Sequence, residues 1–163
     1  MMLNQDPDQI TRMEDDLRDK IQVAINFKPE LNAGVYGVFS IDDLESKMQD
    51  DLGGGIGVGV QFVYTQAADL QARPGAQNAR YLQFMFQVIL AVPCGMEAVE
   101  RGLATKLLGV TRQAIFGEPL KDDKVNRAWD FVREQAEPSA STATMLYYSQ
   151  LWQVALPQVA QRA

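Results

Sequence analysis

The chain has no histidine and a single cysteine, Cys94, among its 163 residues. The first absence removes the commonest general base, the commonest metal ligand and every serine or cysteine triad that depends on an imidazole. The second excludes an intrachain disulfide, and with it a disulfide-stapled secreted scaffold. Cys94 follows Pro93 and lacks the neighbouring cations that lower a thiol pKa, so it reads as a small core residue. Long hydrophobic runs are also missing. The longest, residues 88–92, falls far short of the ~20 residues that span a bilayer, and no membrane partner is expected. Residues 1–10 carry Asp6 and Asp8 and show neither the basic flank nor the apolar stretch of a secretory signal, which points to a chain that stays in the cytoplasm. Positive charge is scarce as well: 15 basic against 21 acidic residues leave a net charge of −6. Affinity for phosphate backbones comes from lysine and arginine displacing counterions, so specific nucleic-acid binding is not expected. A wall of this charge around passing DNA would repel it and let it slide.

What remains is ordinary globular composition, 47% apolar and 22% charged, at a length that suits a single domain over residues 1–163. Ile10, Met13, Leu17, Ile21 and Ala24 recur at steps of three and four and predict an amphipathic helix over residues 6–26. Asp6 is its expected N-cap and Pro7 suits its first turn, while Glu14 with Arg18 and Asp16 with Lys20 stand one turn apart. Pro29 stops it. Residues 35–41 predict a short strand after the Asn32-Ala33-Gly34 turn, and residues 42–51 a polar loop or helical turn. Ile56, Val58, Val60 and Phe62 alternate with Gly57, Gly59 and Gln61. The segment 80–92 repeats that period with Leu82, Phe84, Phe86, Val88 and Leu90 on one side and Gln83, Met85 and Gln87 on the other. These two strands form a long hairpin whose polar tip, residues 66–79, is too long for a simple turn. Met96, Val99, Leu103, Leu107, Val110 and Ala114 predict a second long helix ending at Phe116-Gly117. Over residues 121–137 Val125, Trp129 and Val132 fit a helix while Trp129, Phe131 and Arg133 alternate as a strand would, and a strand is favoured over the second half. Residues 145–156 form a last strand with two largely apolar faces, suited to the middle of a sheet or to a partner subunit. The fold class is α+β, with a mixed or antiparallel sheet of about four to five strands and two main helices.

Candidates for chemistry are few. Asp42-Asp43, Asp50-Asp51 and Asp122-Asp123 could serve as magnesium ligands or acid/base pairs, but adjacent residues on a strand diverge and all three pairs fall in turn-like segments, which favours solvated or capping roles. The run Gly53-Gly54-Gly55-Ile56-Gly57-Val58-Gly59 leads into a strand rather than a helix and lacks a P-loop lysine, so it reads as a mobile entry or close backbone approach in a sheet. Phe84, Phe86, Tyr148 and Trp152 form a stripe that suits a core or interface better than a ligand pocket. No catalytic, cofactor or metal site is assigned. The candidate partner-binding residues are Gln66, Leu70, Gln71, Arg73, Gln77 and Arg80, at and beside the hairpin tip, which is expected to be mobile in the free protein and ordered at a subunit or tube contact.

In order, the capped first helix, the strand Val35-Tyr36-Gly37-Val38-Phe39, the strand Gly57-Val58-Gly59-Val60-Gln61-Phe62, the hairpin into Leu82-Gln83-Phe84-Met85-Phe86-Gln87-Val88, a helix, and the closing Leu146-Tyr147-Tyr148-Ser149-Gln150-Leu151-Trp152-Gln153-Val154 resemble the tail terminator and related minor tail proteins of long-tailed, especially Mu-like, bacteriophages. The resemblance covers nearly the whole chain. It implies helices on one side of the sheet and a homo-oligomeric, hexameric ring that caps the tail tube, ends its growth and provides the tail side of the head–tail junction. The implied partners are further copies of the chain, the tail-tube protein and a head or neck connector, within a virion tail assembled in the host cytoplasm, with no enzyme activity and no cofactor. The tip loop and residues 121–126 depart from many relatives. A head-completion or neck protein is the alternative of the same kind, and a magnesium-dependent carboxylate enzyme using Asp42, Asp43, Asp122 and Asp123 the alternative of another.

Overall fold

The computed structural model describes residues 8–52, 55–67, 79–96, 102–121, 127–142 and 144–159. Among them the chain forms α1 (Gln9–Asn26), β1 (Gly34–Gly37), α2 (Ile41–Leu52), β2 (Gly57–Ala67), β3 (Ala79–Pro93), α3 (Leu103–Ile115), β4 (Asp130–Ala136) and β5 (Met145–Val159). The five strands make one mixed sheet in the order β1-β2-β3-β5-β4. Only β1 and β2 run parallel; the other neighbours are antiparallel. The protein is an α+β fold with β5 inside the sheet, as its two apolar faces require.

The strand alternation sorts side chains onto two faces. Val58, Val60, Phe84, Phe86, Val88, Leu90, Trp152 and Val154 point to one face and pack with Met13, Leu17, Ile21 and Ile25 of α1 and Leu103, Leu107 and Ile115 of α3. The aromatic stripe is core: Phe86 and Trp152 are fully buried, and Phe86 meets Trp129 edge-to-face at 5.5 Å between centroids. The opposite face carries a smaller cluster in which Val38, Leu44 and Met48 cover Ile89, Ala91 and Tyr147. This cluster corrects two expectations. The polar stretch 42–51 is a helix of three turns, and it lies across the sheet from α1 and α3, so only the two main helices share a side. Its apolar stripe, Ile41, Leu44 and Met48, is narrow enough to be hidden among charged neighbours. Its start is secured by reciprocal capping, in which Ser40 Oγ accepts from the Asp43 N–H at 3.1 Å and the Asp43 carboxylate accepts from the Phe39 N–H at 3.0 Å.

Two glycines let α2 approach. A Cβ on Gly57 would stand 2.3 Å from Met48 Sδ, and one on Gly59 would stand 2.7 Å from a Val38 methyl. The glycine run therefore does what close backbone approach predicts, at Gly57 and Gly59; Gly53 and Gly54 lie outside the described residues.

Further departures have local causes. Asp8, without a side-chain capping bond, holds the N-cap of α1, while the expected cap Asp6 lies outside the described residues. Asp16 pairs with Lys20 as expected, and the Arg18 guanidinium stands 3.5 Å from Asp15. The second long helix does not run unbroken from Met96, because Gly102 takes a left-handed conformation (φ 62°) and α3 starts after it. Its expected end at Phe116-Gly117 holds, with Gly117 at φ 73°. Cys94 is half-buried just beyond β3 rather than a core residue. In β4 a bulge after Phe131 puts Phe131 and Arg133 on opposite faces, so the simple alternation breaks there.

Candidate functional site

α2 covers only the proximal part of its face. Beyond it the sheet continues as three strands, and the register places Gln61 beside Gln87 and Leu151, Tyr64 beside Met85 and Gln153, and Gln66 beside Gln83 and Ala155. A bulge between Phe62 and Tyr64 restores this alignment after one extra residue in β2. Gln66 Nε2 donates to Gln83 Oε1 at 3.2 Å, and Gln83 Nε2 in turn donates to Gln153 Oε1. The result is an amide ladder across β2, β3 and β5, and none of the positions 61, 64, 66, 83, 85, 87, 151, 153 and 155 that line it is a charged residue. Charge enters only at the sheet margin, where Asp130 and Arg133 of β4 share this face.

Such a surface can meet other groups by hydrogen bonds and contact area, without the salt dependence or long-range pull of a charged patch. The acidity of the chain is concentrated elsewhere, in part on α2. There Asp42 and Asp43 sit in the first turn, and Asp51 accepts from the Tyr36 hydroxyl at 2.8 Å. Partial burial and that hydrogen bond beside the Asp51 charge hold the Tyr36 phenol protonated, its pKa pushed up to about 12. Burial does the same in direction for Tyr147 beneath α2, helped by Glu45 and Asp42. Burial also raises the Glu14 carboxyl, while Arg18 pulls it down.

Two buried polar centres went unseen in the sequence and are structural. Asp16, only 4% exposed, accepts from the Trp129 indole N–H at 3.1 Å and the Lys121 backbone N–H at 3.3 Å, tying α1 to the segment before β4. Gln150, with no exposed surface, donates to the Leu108 carbonyl at 3.1 Å and to Glu134 at 2.8 Å and accepts from the Trp152 indole at 3.3 Å. Arg112 completes that centre 3.0 Å from Glu134. Local reading places Asp16 one turn from Lys20 and no more; its indole partner is 113 positions away and invisible to it.

Of the expected partner-binding residues, Gln66 is exposed at the end of β2 and heads the ladder, and Arg80 stands on β3 in register with Gln158. Leu70, Gln71, Arg73 and Gln77 lie outside the described residues, as do Asp122 and Asp123. Asp42 and Asp43 are a helix N-terminus, not a paired site. Among the described residues no group of three or more histidine, cysteine, aspartate or glutamate side chains could hold a metal ion, and no helix is long and apolar enough to cross a membrane. The glutamine face was missed because each strand showed its glutamines singly, and only the cross-strand register assembles them.

These features define an α+β protein with one helix-covered and one half-covered sheet face. No family profile matches the chain, and no curated protein matches it in sequence. Its fold is similar to that of a chain from the virion of a native gene transfer agent (GTA) particle, with a TM-score of 0.56 at 13% identity over 89% of this chain and 94% of that one.

Proposed function

We propose that this protein is a structural subunit of a phage-like virion. In this reading copies of it form a ring, hexameric as in tail terminators, on the end of the tail tube. The ring stops tube growth and offers the tail side of the head–tail junction to a neck connector. The observation that supports the reading is the fold: nearly the whole chain superimposes on nearly the whole of a chain from a gene transfer agent virion. The order of elements that resembles tail terminators points the same way. The glutamine-lined sheet face, whose Arg133 is offset by Asp130 at the margin, suits a part past which DNA travels without being gripped, since a surface poor in lysine and arginine displaces few counterions. Catalysis has no part in it.

The test is electron microscopy of particles made without this protein, together with the protein content of normal particles. Tubes of abnormal length identify a terminator. Tails of normal length left unjoined to filled heads identify a head-completion or neck component instead, and absence of the chain from purified particles overturns both.

A further inference from the structure

The two edges of the sheet are unlike. β1 pairs with β2 only as far as Gly37 opposite Val60, where the Val38 N–H donates to the Val60 carbonyl at 3.0 Å. From there to its end, residues 61–67, β2 has no strand beside it among the described residues. This free edge contains neither charge nor proline, the usual devices that blunt an open strand. It also gathers exposed apolar side chains: Val63 at 40%, Tyr64 at 43%, and Phe39 at 86%, whose carbonyl accepts from Gln61 Nε2. The opposite edge is β4, seven residues long. It carries Val132, 40% exposed, and beside its start Phe116, 65% exposed, since the next residue, Gly117, donates to the Trp129 carbonyl. Among the described residues, five of the eight large exposed apolar side chains thus lie along two opposite edges.

We infer that the free edge of β2 in one copy pairs with β4 of a second copy, joining the sheets head to tail. The inference rests on the ring reading above and names the surfaces that make the ring. Strand direction selects the pairing. β2 runs antiparallel to β3, β3 to β5 and β5 to β4, so β2 and β4 point in opposite directions. A neighbour generated by rotation about an axis close to the strands keeps its directions and therefore presents β4 to β2 as an antiparallel partner. The register supplies the stagger. Asp130 and Ala136 of β4 stand level with Tyr64 and Val58 of β2 through β5 and β3, whereas the free edge covers 61–67. Full pairing shifts each copy by three residues along the strand, about 10 Å, as a sheet closing on itself demands. The neutral edge meets the charged edge of β4 without like-charge conflict, whereas β4 against β4 would bring its own charges and bulges together. Two different patches, each used once per copy, make a heterologous contact that closes into a ring.

The experiment uses Val63→Lys and Val132→Lys in the full chain, one charge on each edge. Both sites are exposed, and unchanged circular dichroism and melting temperature establish that each variant folds. Association is measured by sedimentation or native mass spectrometry. Each variant alone should lose assembly, with a drop of roughly tenfold or more in the association constant. An equimolar mixture should form dimers and nothing larger, because one intact β2 edge from the Val132→Lys chain meets one intact β4 edge from the Val63→Lys chain. Self-association of the Val132→Lys protein, or wild-type rings from either variant, overturns the head-to-tail pairing and leaves the ring reading standing. A wild-type chain that stays monomeric at the highest soluble concentration and with tail-tube protein overturns both.

Discussion

The two faces of the sheet are built by the same strands yet do different work. On the face under α1 and α3, β3 and β5 contribute Phe84, Phe86, Val88, Leu90, Trp152 and Val154 to a continuous core. On the other, the intervening residues Ile89, Ala91 and Tyr147 pack beneath α2 and then give way to Gln83, Gln87 and Gln153, with Met85 buried among them. The helix-covered face holds the fold together, and the half-covered face leaves a largely amide-lined surface beyond α2. The difference teaches where substitution should be tolerated: stability is concentrated on the helix-covered side of the strands.

Breaking the covered face has the largest effect. Trp152→Ala removes a fully buried ring that meets Phe131 at 5.2 Å and hydrogen-bonds Gln150. The expected loss is about 3–5 kcal/mol, a large share of a domain's typical stability, and urea unfolding should show a collapsed midpoint or no folded baseline. Next comes the α2 contact. Gly59→Val puts branched carbons where Val38 and Leu44 already stand, 2.7 and 3.4 Å from a first added carbon. The helix must shift at a cost of about 1–3 kcal/mol, seen as a lower unfolding midpoint with the far-ultraviolet spectrum retained.

The open face should respond least in stability. Gln83→Leu removes both ladder hydrogen bonds, but Gln66 is exposed and can turn to water, so the expected change is below about 1 kcal/mol. A loss comparable to that of Trp152→Ala would mean that the ladder, and not the helix-covered core, organises the distal strands. The smallest effect concerns alkaline pH. The Tyr36 phenol, raised from 10.0 to about 12, binds its proton more tightly in the folded state. Its contribution is therefore complete below pH 10 and disappears as the pH climbs through 12. Tyr36→Phe should be slightly less stable at neutral pH and should show a shallower decline in melting temperature across that window. Equal slopes would mean that the hydroxyl is not held by Asp51.

The α1 helix, both long hairpin strands and β5 were legible because each carries a strong local period: steps of three and four in Met13, Leu17 and Ile21, and alternation in Leu82, Phe84, Phe86 and Val88. The glycine run was legible for a similar reason, since Gly57 and Gly59 stand at every second position of a strand, where a helix crosses it. α2 was not, because Leu44 and Met48 alone mark its buried side and its five acidic residues read as solvated. The break before α3 was hidden too, because Leu103 and Leu107 extend the period of Met96 and Val99 across Gly102.

The sequence by itself determined which residues avoid water. Periodicity and composition set the elements, the absence of histidine and the scarcity of cysteine narrowed the chemistry, and every one of those properties is local or additive along the chain. Tertiary structure alone decided which of the apolar and amide groups become neighbours. Asp16 meets Trp129, and Gln66, Gln83 and Gln153 line up across three strands, only because the sheet order and its bulges bring distant segments into register. A one-residue slip would turn the glutamines toward the core, so their common surface is a property of pairing that no single segment encodes.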